Sequence, residues 1–326
     1  VLLALSADEM ALFFPEGFDG GGATVEWKEP ALKTEVLYDM LRCAQPDVVV
    51  TAWTTPTFEV EWLDEFPTLR YICHASGSVR NLVPRAYLER GVLVSNWGTL
   101  AASNVAEHAL LLVLAGLRRM SEWSSVISGQ RPWQPSPIVT RTLFRKRVGV
   151  HGMGNVAQCL VRLLACFEVS VSAYSEGVPQ ELYDRCGVKR CERLEDLFAD
   201  NDIVVECEAL NPHTRGIVTR DILSRLPDGA LFVNVGRGAV VDEAALAALA
   251  KEGRCHVALD VYETDPIDPQ SPLHRVEDAV LSPHIAGPTS DQFACCGQLA
   301  MRNVRAFWEG QPVEAVVDLP IYDRST

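Results

Sequence analysis

Arg147-Val-Gly-Val-His-Gly-Met-Gly-Asn-Val-Ala157 is an apolar run, a glycine-rich turn and the start of an apolar-periodic segment. That pattern marks a strand turning sharply into a helix. Gly152 permits the tight turn, Gly154 presents backbone without a Cβ, and small Ala157 lets the new helix pack closely on its strand. A helix beginning there offers unpaired N–H groups and partial positive charge to a phosphate. A dinucleotide site is the first hypothesis, and a strand-to-helix corner shaped only by packing is the alternative.

On both sides of this stretch, apolar runs alternate with helical patterns. Upstream, strands are expected at residues 1–5, 47–51, 69–73 and 92–95, with helices at 30–43, near Glu59 and at 83–90. Downstream, strands are expected at 169–174, 202–206, 230–234, 256–260 and 279–282. Helices should follow Pro179, lie near Leu194, start near Thr219 and span 242–251. Such alternation predicts two parallel sheets with helices on both faces. Between them, residues 101–117 form an apolar helix in which Asn104 and Glu107 read as a capping pair and His108 as a hydrogen-bonded core residue. Near the end, Thr289 with Gln292 is expected to cap a helix that stops at Gly310.

Length and charge narrow the function. The 326 residues suggest about two domains. A net charge of -14 offers no basic field to a polyanion, so nucleic acid and anionic membrane are poor partners. Residues 1–6 are too short for a signal core and no run reaches membrane-spanning length, which predicts a cytoplasmic location. The ten cysteines lack paired spacing, so buried free thiols are expected, with no disulfide framework and no metal site.

Three clusters follow the glycine turn, at residues 233–243, 258–266 and 281–287. Each sets a polar residue just beyond an apolar strand, where an open sheet gathers its ligands: Arg237, Asp265 and His284. Taken singly, each has a plain reading as a surface charge, a turn former or a loop residue. Their shared topological position favours convergence on one site.

Here the chain resembles the D-isomer-specific 2-hydroxyacid dehydrogenases, through residues 104–107, 152–157, Gly236-Arg237-Gly238, Asp260-Val261 and Pro283-His284. The resemblance implies a Rossmann dinucleotide domain, residues 104–288, inserted into a split flavodoxin-like substrate domain, residues 1–103 and 289–326, and a homodimer. It implies interconversion of a small 2-keto acid and its (R)-2-hydroxy acid by hydride transfer. His284 would be the acid/base held by Asp265, and Arg237 would bind and polarise the substrate, with the Ser76-Gly77 turn taking the substrate carboxylate. Gly152, Met153, Gly154, Asn155, Val156, Ser175, Val235, Gly236 and Asp260 would bind the coenzyme, expected to be NAD with NADP not excluded.

Several residues depart from that pattern. Asp265 stands where the family has glutamate, one methylene longer, so direct contact with His284 requires a closer backbone or an intervening water. His151 replaces an aliphatic residue, Ser175 replaces the ribose-binding aspartate, and Glu206-Cys-Glu-Ala209 replaces a stretch that tends to carry histidine and proline. Asp265 and Ser175 motivate the alternative of a dinucleotide-sensing, corepressor-like binding protein with little turnover. Formate oxidation is disfavoured by the acidic residue at 265. Candidates for contacting the substrate side chain are the 13–22 loop, Trp53, Trp97 and Trp133.

Overall fold

Runs such as Val48-Val-Val-Thr51 and Ile203-Val-Val-Glu206, buried at every position, can be shielded on both faces only as inner strands of a covered parallel sheet. The computed structural model describes residues 1–29, 33–133 and 138–324. It contains two such sheets, one in each of two units: Val1–Ala101 with Pro288–Thr326, and Ala102–Gly287. The expected divisions, after residues 103 and 288, stand beside observed divisions after Ala101 and Gly287.

The first unit holds β1 (Leu2–Ala4), β2 (Glu26–Trp27), β3 (Val48–Thr51), β4 (Tyr71–His74) and β5 (Leu93–Ser95). Their order is β2-β1-β3-β4-β5 with every pair parallel, the flavodoxin-like arrangement. One apolar cluster covers each face, the first around Leu37, Ile72 and Tyr87 and the second around Phe13, Tyr71 and Val304.

The second unit holds β6 (Arg147–His151), β7 (Ser170–Tyr174), β8 (Lys189–Arg190), β9 (Ile203–Glu206), β10 (Ala230–Asn234), β11 (Cys255–Leu259) and β12 (Val280–Leu281). All pairs are parallel in the order β12-β11-β10-β9-β6-β7-β8. The chain steps from β6 to β7 on one side and returns to β9 on the other, so the sheet changes direction between β6 and β9. In an open α/β sheet, that switch point is where the ends of the strands leave a crevice for a ligand. The glycine turn lies at the end of β6, on this crevice. Ala157 is fully buried in the apolar cluster beneath it.

Several local expectations are corrected. The apolar helix spans Ala102–Leu117, so Asn104 and Glu107 lie inside it instead of capping it. The closing helix spans Phe293–Trp308 with Gln292 as its N-cap, three residues later than a Thr289 cap requires. The helix expected from residue 30 is seen at Thr34–Ala44, and residues 30–32 lie outside the described residues. All ten cysteines are free, but Cys43 and Cys166 are exposed, not buried. Not anticipated were edge strands β2 and β8 and the Ala7–Phe13 helix, where Ser6 and Glu9 form a reciprocal capping box. Among the described residues, no helix is long and apolar enough to cross a membrane.

Candidate active site

At the end of β6, Gly152 has φ +98°, and a Cβ there would sit 2.9 Å from the carbonyl of Cys207 and the nitrogen of Glu208. Only glycine combines that backbone angle with that approach. Gly154 is the N-cap of the Asn155–Leu164 helix and supplies no side chain to its first turn. A Cβ at Gly154 would meet nothing within 4 Å, so the helix N-terminus faces open space. Among the described residues no hydrogen bond engages the N–H groups of Asn155 or Val156. Uncapped donors, the helix dipole and open space suit a pyrophosphate, so the residues present fit a dinucleotide. Met153 is buried beneath the turn. Across the switch point, Val235 N–H donates to Glu206 C=O at 3.2 Å and Gly236 N–H to Asn234 Oδ1 at 3.0 Å.

His151, unexplained in the sequence, faces Glu206 across the β6–β9 pairing. Its Nδ1 lies 2.6 Å from Glu206 Oε2, and both side chains are almost wholly buried. Burial opposes the imidazolium, but the Glu206 and Glu208 carboxylates outweigh it and raise the His151 pKa. The other Glu206 oxygen accepts the Glu208 N–H at 2.8 Å. Glu208 in turn accepts the Ser175 hydroxyl at 2.8 Å, joining the end of β9 to the end of β7.

Beyond β10, β11 and β12 the structure brings Asp265 and His284 of the expected set together. His284 Nδ1 is 2.8 Å from Asp265 Oδ2, so the shorter carboxylate reaches the ring directly, without an intervening water. Burial lowers the Arg237 pKa, and the Asp265 charge opposes that shift. Arg237 Nη1 meanwhile donates to Gly236 C=O at 2.8 Å. His284 has φ +53°, an uncommon backbone for a residue with a Cβ. Asp260 holds it there: its buried carboxylate accepts the N–H groups of Ile285 at 3.0 Å and Ala286 at 2.9 Å, and the Ser282 hydroxyl at 2.6 Å. Burial would raise the Asp260 pKa, yet His108, Ser282 and those two N–H groups together lower it. His108 also lies 2.9 Å from Ser282 Oγ, so its hydrogen bonds support the His284 loop.

In the first unit, the Ser76-Gly77 turn follows β4. The Ser76 hydroxyl is buried 2.6 Å from His74 Nε2, and His74 Nδ1 is 3.0 Å from Thr51 Oγ1. Trp97 N–H donates to Ser76 C=O at 3.1 Å, while Asn96 donates to Gly77 C=O at 2.6 Å. Among the described residues no hydrogen bond engages the N–H groups of Ser76, Gly77 or Ser78. The Trp97 ring lies 2.8 Å from where a Gly77 Cβ would be, and Trp53 meets it edge-on at 6.2 Å between centroids. Trp53 also packs against Phe13 and Phe293 at 5.2 and 5.6 Å, while half of its surface stays exposed. Trp133 is exposed in the second unit, with no part in this cluster.

Burial drives His74 down to about 3 from its ordinary 6.5. The unfolded chain takes up a proton near 6.5 that the folded unit refuses. Stability is therefore expected to be complete above that pH and to decline steadily as pH falls toward about 3. Thermal melts between these limits, flattened in His74→Gln, check this, and an unchanged slope in the variant would exclude His74 as the cause.

Fold and site together define a dinucleotide-binding protein of the doubly wound class. Residues 110–286 match the family model described as D-isomer specific 2-hydroxyacid dehydrogenase, NAD binding domain. The D-3-phosphoglycerate dehydrogenase of Archaeoglobus fulgidus is 30% identical over 306 residues, covering 93% of this chain and 57% of that protein. The glyoxylate reductase of Thermofilum pendens is 29% identical over 285 residues, covering 86% of this chain and 84% of that one. A solved glyoxylate reductase from Paecilomyes thermophila aligns with TM-score 0.80 and 25% identity over 97% of each chain. The chain belongs to the D-isomer-specific 2-hydroxyacid dehydrogenases and carries that family's NAD-binding domain. It spans little more than half the length of the phosphoglycerate dehydrogenases it matches.

Proposed function

We propose that the chain is an NAD-dependent oxidoreductase that interconverts a 2-keto acid and its (R)-2-hydroxy acid. The observation that carries this reading is the direct 2.8 Å contact between His284 and Asp265, with Arg237 in the field of the same carboxylate. It also favours an enzyme over a coenzyme-sensing binding protein, whose ligand would need no oriented histidine.

The Gly152–Val156 turn with Ser175, Val235, Gly236 and Asp260 would hold NAD, which would supply the two-electron exchange. In the reducing direction, the forked donors of Arg237 take the substrate carboxylate and polarise the 2-oxo oxygen. His284 delivers a proton to that oxygen from Nε2. Asp265 accepts the Nδ1–H, fixing the tautomer and favouring the imidazolium before transfer. Asp260 keeps the His284 loop in place by its backbone hydrogen bonds. In the first unit, the N–H groups of the Ser76-Gly77 turn are suited to an anion.

The aromatic group around Trp53 and Trp97 supports a substrate with a bulky apolar side chain. Loss of NADH absorbance with a panel of 2-keto acids tests both parts. Phenylpyruvate or a branched-chain keto acid is expected to exceed glyoxylate in kcat/KM. Trp53→Ala should lower that advantage by about tenfold, the scale of one lost aromatic contact. No turnover with any member would remove the proposed activity. The reading includes a homodimer in the cytoplasm, supported by exposed Met120, Trp123 and Ile127 and by ten free thiols. Light scattering at a single chain mass would exclude the dimer.

A further inference from the structure

A coenzyme with free ribose hydroxyls is usually recognised by a carboxylate about twenty residues beyond the glycine turn, at the end of the next strand. In this chain that place, after β7, is held by Ser175. Tyr183 fixes the serine: its hydroxyl accepts the Ser175 N–H at 3.0 Å and lies 3.2 Å from the Ser175 carbonyl oxygen. The Ser175 side chain is buried and donates to Glu208 Oε2 at 2.8 Å. A carboxylate therefore does occupy the end of β7, but it arrives from the segment after β9.

We propose that Glu208 is the coenzyme-selecting residue, binding the adenosine ribose hydroxyls of NAD in place of the missing strand-end aspartate and excluding the 2′-phosphate of NADP. This rests on the dinucleotide reading above and adds a specificity residue to it. Among the described residues, the Glu208 carboxylate takes two protein donors, Ser175 Oγ–H and the Ala209 N–H at 3.1 Å. An ionised carboxylate has about four acceptor positions, which leaves room for the two donors of a ribose diol. Its backbone is anchored from below, since Glu206 accepts the Glu208 N–H and is itself fixed by buried His151. Glu206 and His151 are thus positioning residues for this carboxylate.

The surrounding charge acts in the same direction. Burial first, and then Glu176, Glu195 and Glu208, raise the phenol pKa of neighbouring Tyr174, with Arg190 acting against them. Arg190 lies over the Tyr183 ring at 5.6 Å and pairs with Glu192 at 3.7 Å. Glu195 is itself paired with Arg193 at 3.4 Å, which leaves the Glu176 and Glu208 carboxylates against one engaged guanidinium, a poor site for a phosphate dianion.

Fluorescence titration of the full chain with NADH and NADPH, without keto acid, tests the assignment. Wild type is expected to bind NADH at least about tenfold more tightly, and Glu208→Gln, isosteric and still able to accept from Ser175, should reduce that ratio by about tenfold or more. Ser175→Asp combined with Glu208→Ala returns a carboxylate to β7 and should restore the NADH preference. This second variant decides the matter if Glu208→Gln does not fold. A ratio unchanged in Glu208→Gln, a wild type that prefers NADPH, or a double variant without NADH preference would overturn the proposal. Failure of wild type to bind either coenzyme would instead overturn the dinucleotide reading itself.

Discussion

In His284→Ala, kcat for keto-acid reduction is expected to fall by about a thousandfold while NADH binds as tightly as before. A positioned acid/base contributes about a hundred- to ten-thousandfold, and among the described residues no second histidine is paired with Asp265. The loop itself should survive, because Asp260 grips the backbone N–H groups of Ile285 and Ala286, which alanine at 284 retains. The left-handed backbone at His284 adds a complication, since alanine tolerates φ +53° poorly. His284→Asn separates the two effects: asparagine accepts that conformation, so stability should hold while kcat falls equally. Asp265→Asn keeps the ring's partner in place without its charge and should cost less than removing the ring. Steady-state rates with NADH titrations check the set. A variant at 284 with ordinary kcat would end the acid/base assignment.

Gly238→Ala is expected to destabilise the second unit by about 3 kcal/mol, the upper part of the usual cost of overpacking. At roughly 2–4 °C per kcal/mol this is a fall of about 6–12 °C in its melting transition. A Cβ at Gly238 would lie 1.8 Å from the carbonyl oxygen of Tyr262 and 2.5 Å from the nitrogen of Glu263, both main chain. Neither can retreat freely. The Tyr262 hydroxyl donates to Ser282 C=O at 2.8 Å, and Glu263 N–H donates to Glu243 at 2.9 Å. The strain falls between Arg237 and Asp265, so activity should fall with stability. Calorimetry with kinetics on the same preparation checks both, and a wild-type melt would show that this approach is not tight in solution.

The fold was legible where periodicity and turn chemistry agree. Gly152, Gly154 and Ala157 mark the strand-to-helix corner, and the alternating apolar runs predict both parallel sheets. Edge strands of two residues, β2 and β8, carry too little pattern to be read. The Asn104 cap was misplaced because Ala101 and Ala102 let the helix start earlier, where no polar residue announces it. The Ser6 and Glu9 capping box is legible in the sequence as a serine followed three residues later by glutamate. At the site, Arg237, Asp265 and His284 were found from their shared position beyond successive strands. The links from His151 to Glu206 and from Ser175 to Glu208 were not, because they depend on strands β6, β7 and β9 lying side by side although 55 and 33 residues separate the partners. Only the sheet order makes those residues neighbours.

The sealed imidazole–carboxylate couple under the nucleotide crevice restricts how this sequence can change. Removing either member strands an ion in the buried interior, at a cost of roughly 3–5 kcal/mol, and exchanging both for hydrocarbon would leave the Glu208 N–H without the acceptor that Glu206 supplies. Positions 151 and 206 are therefore locked to each other, and drift at one is tolerated only in step with the other.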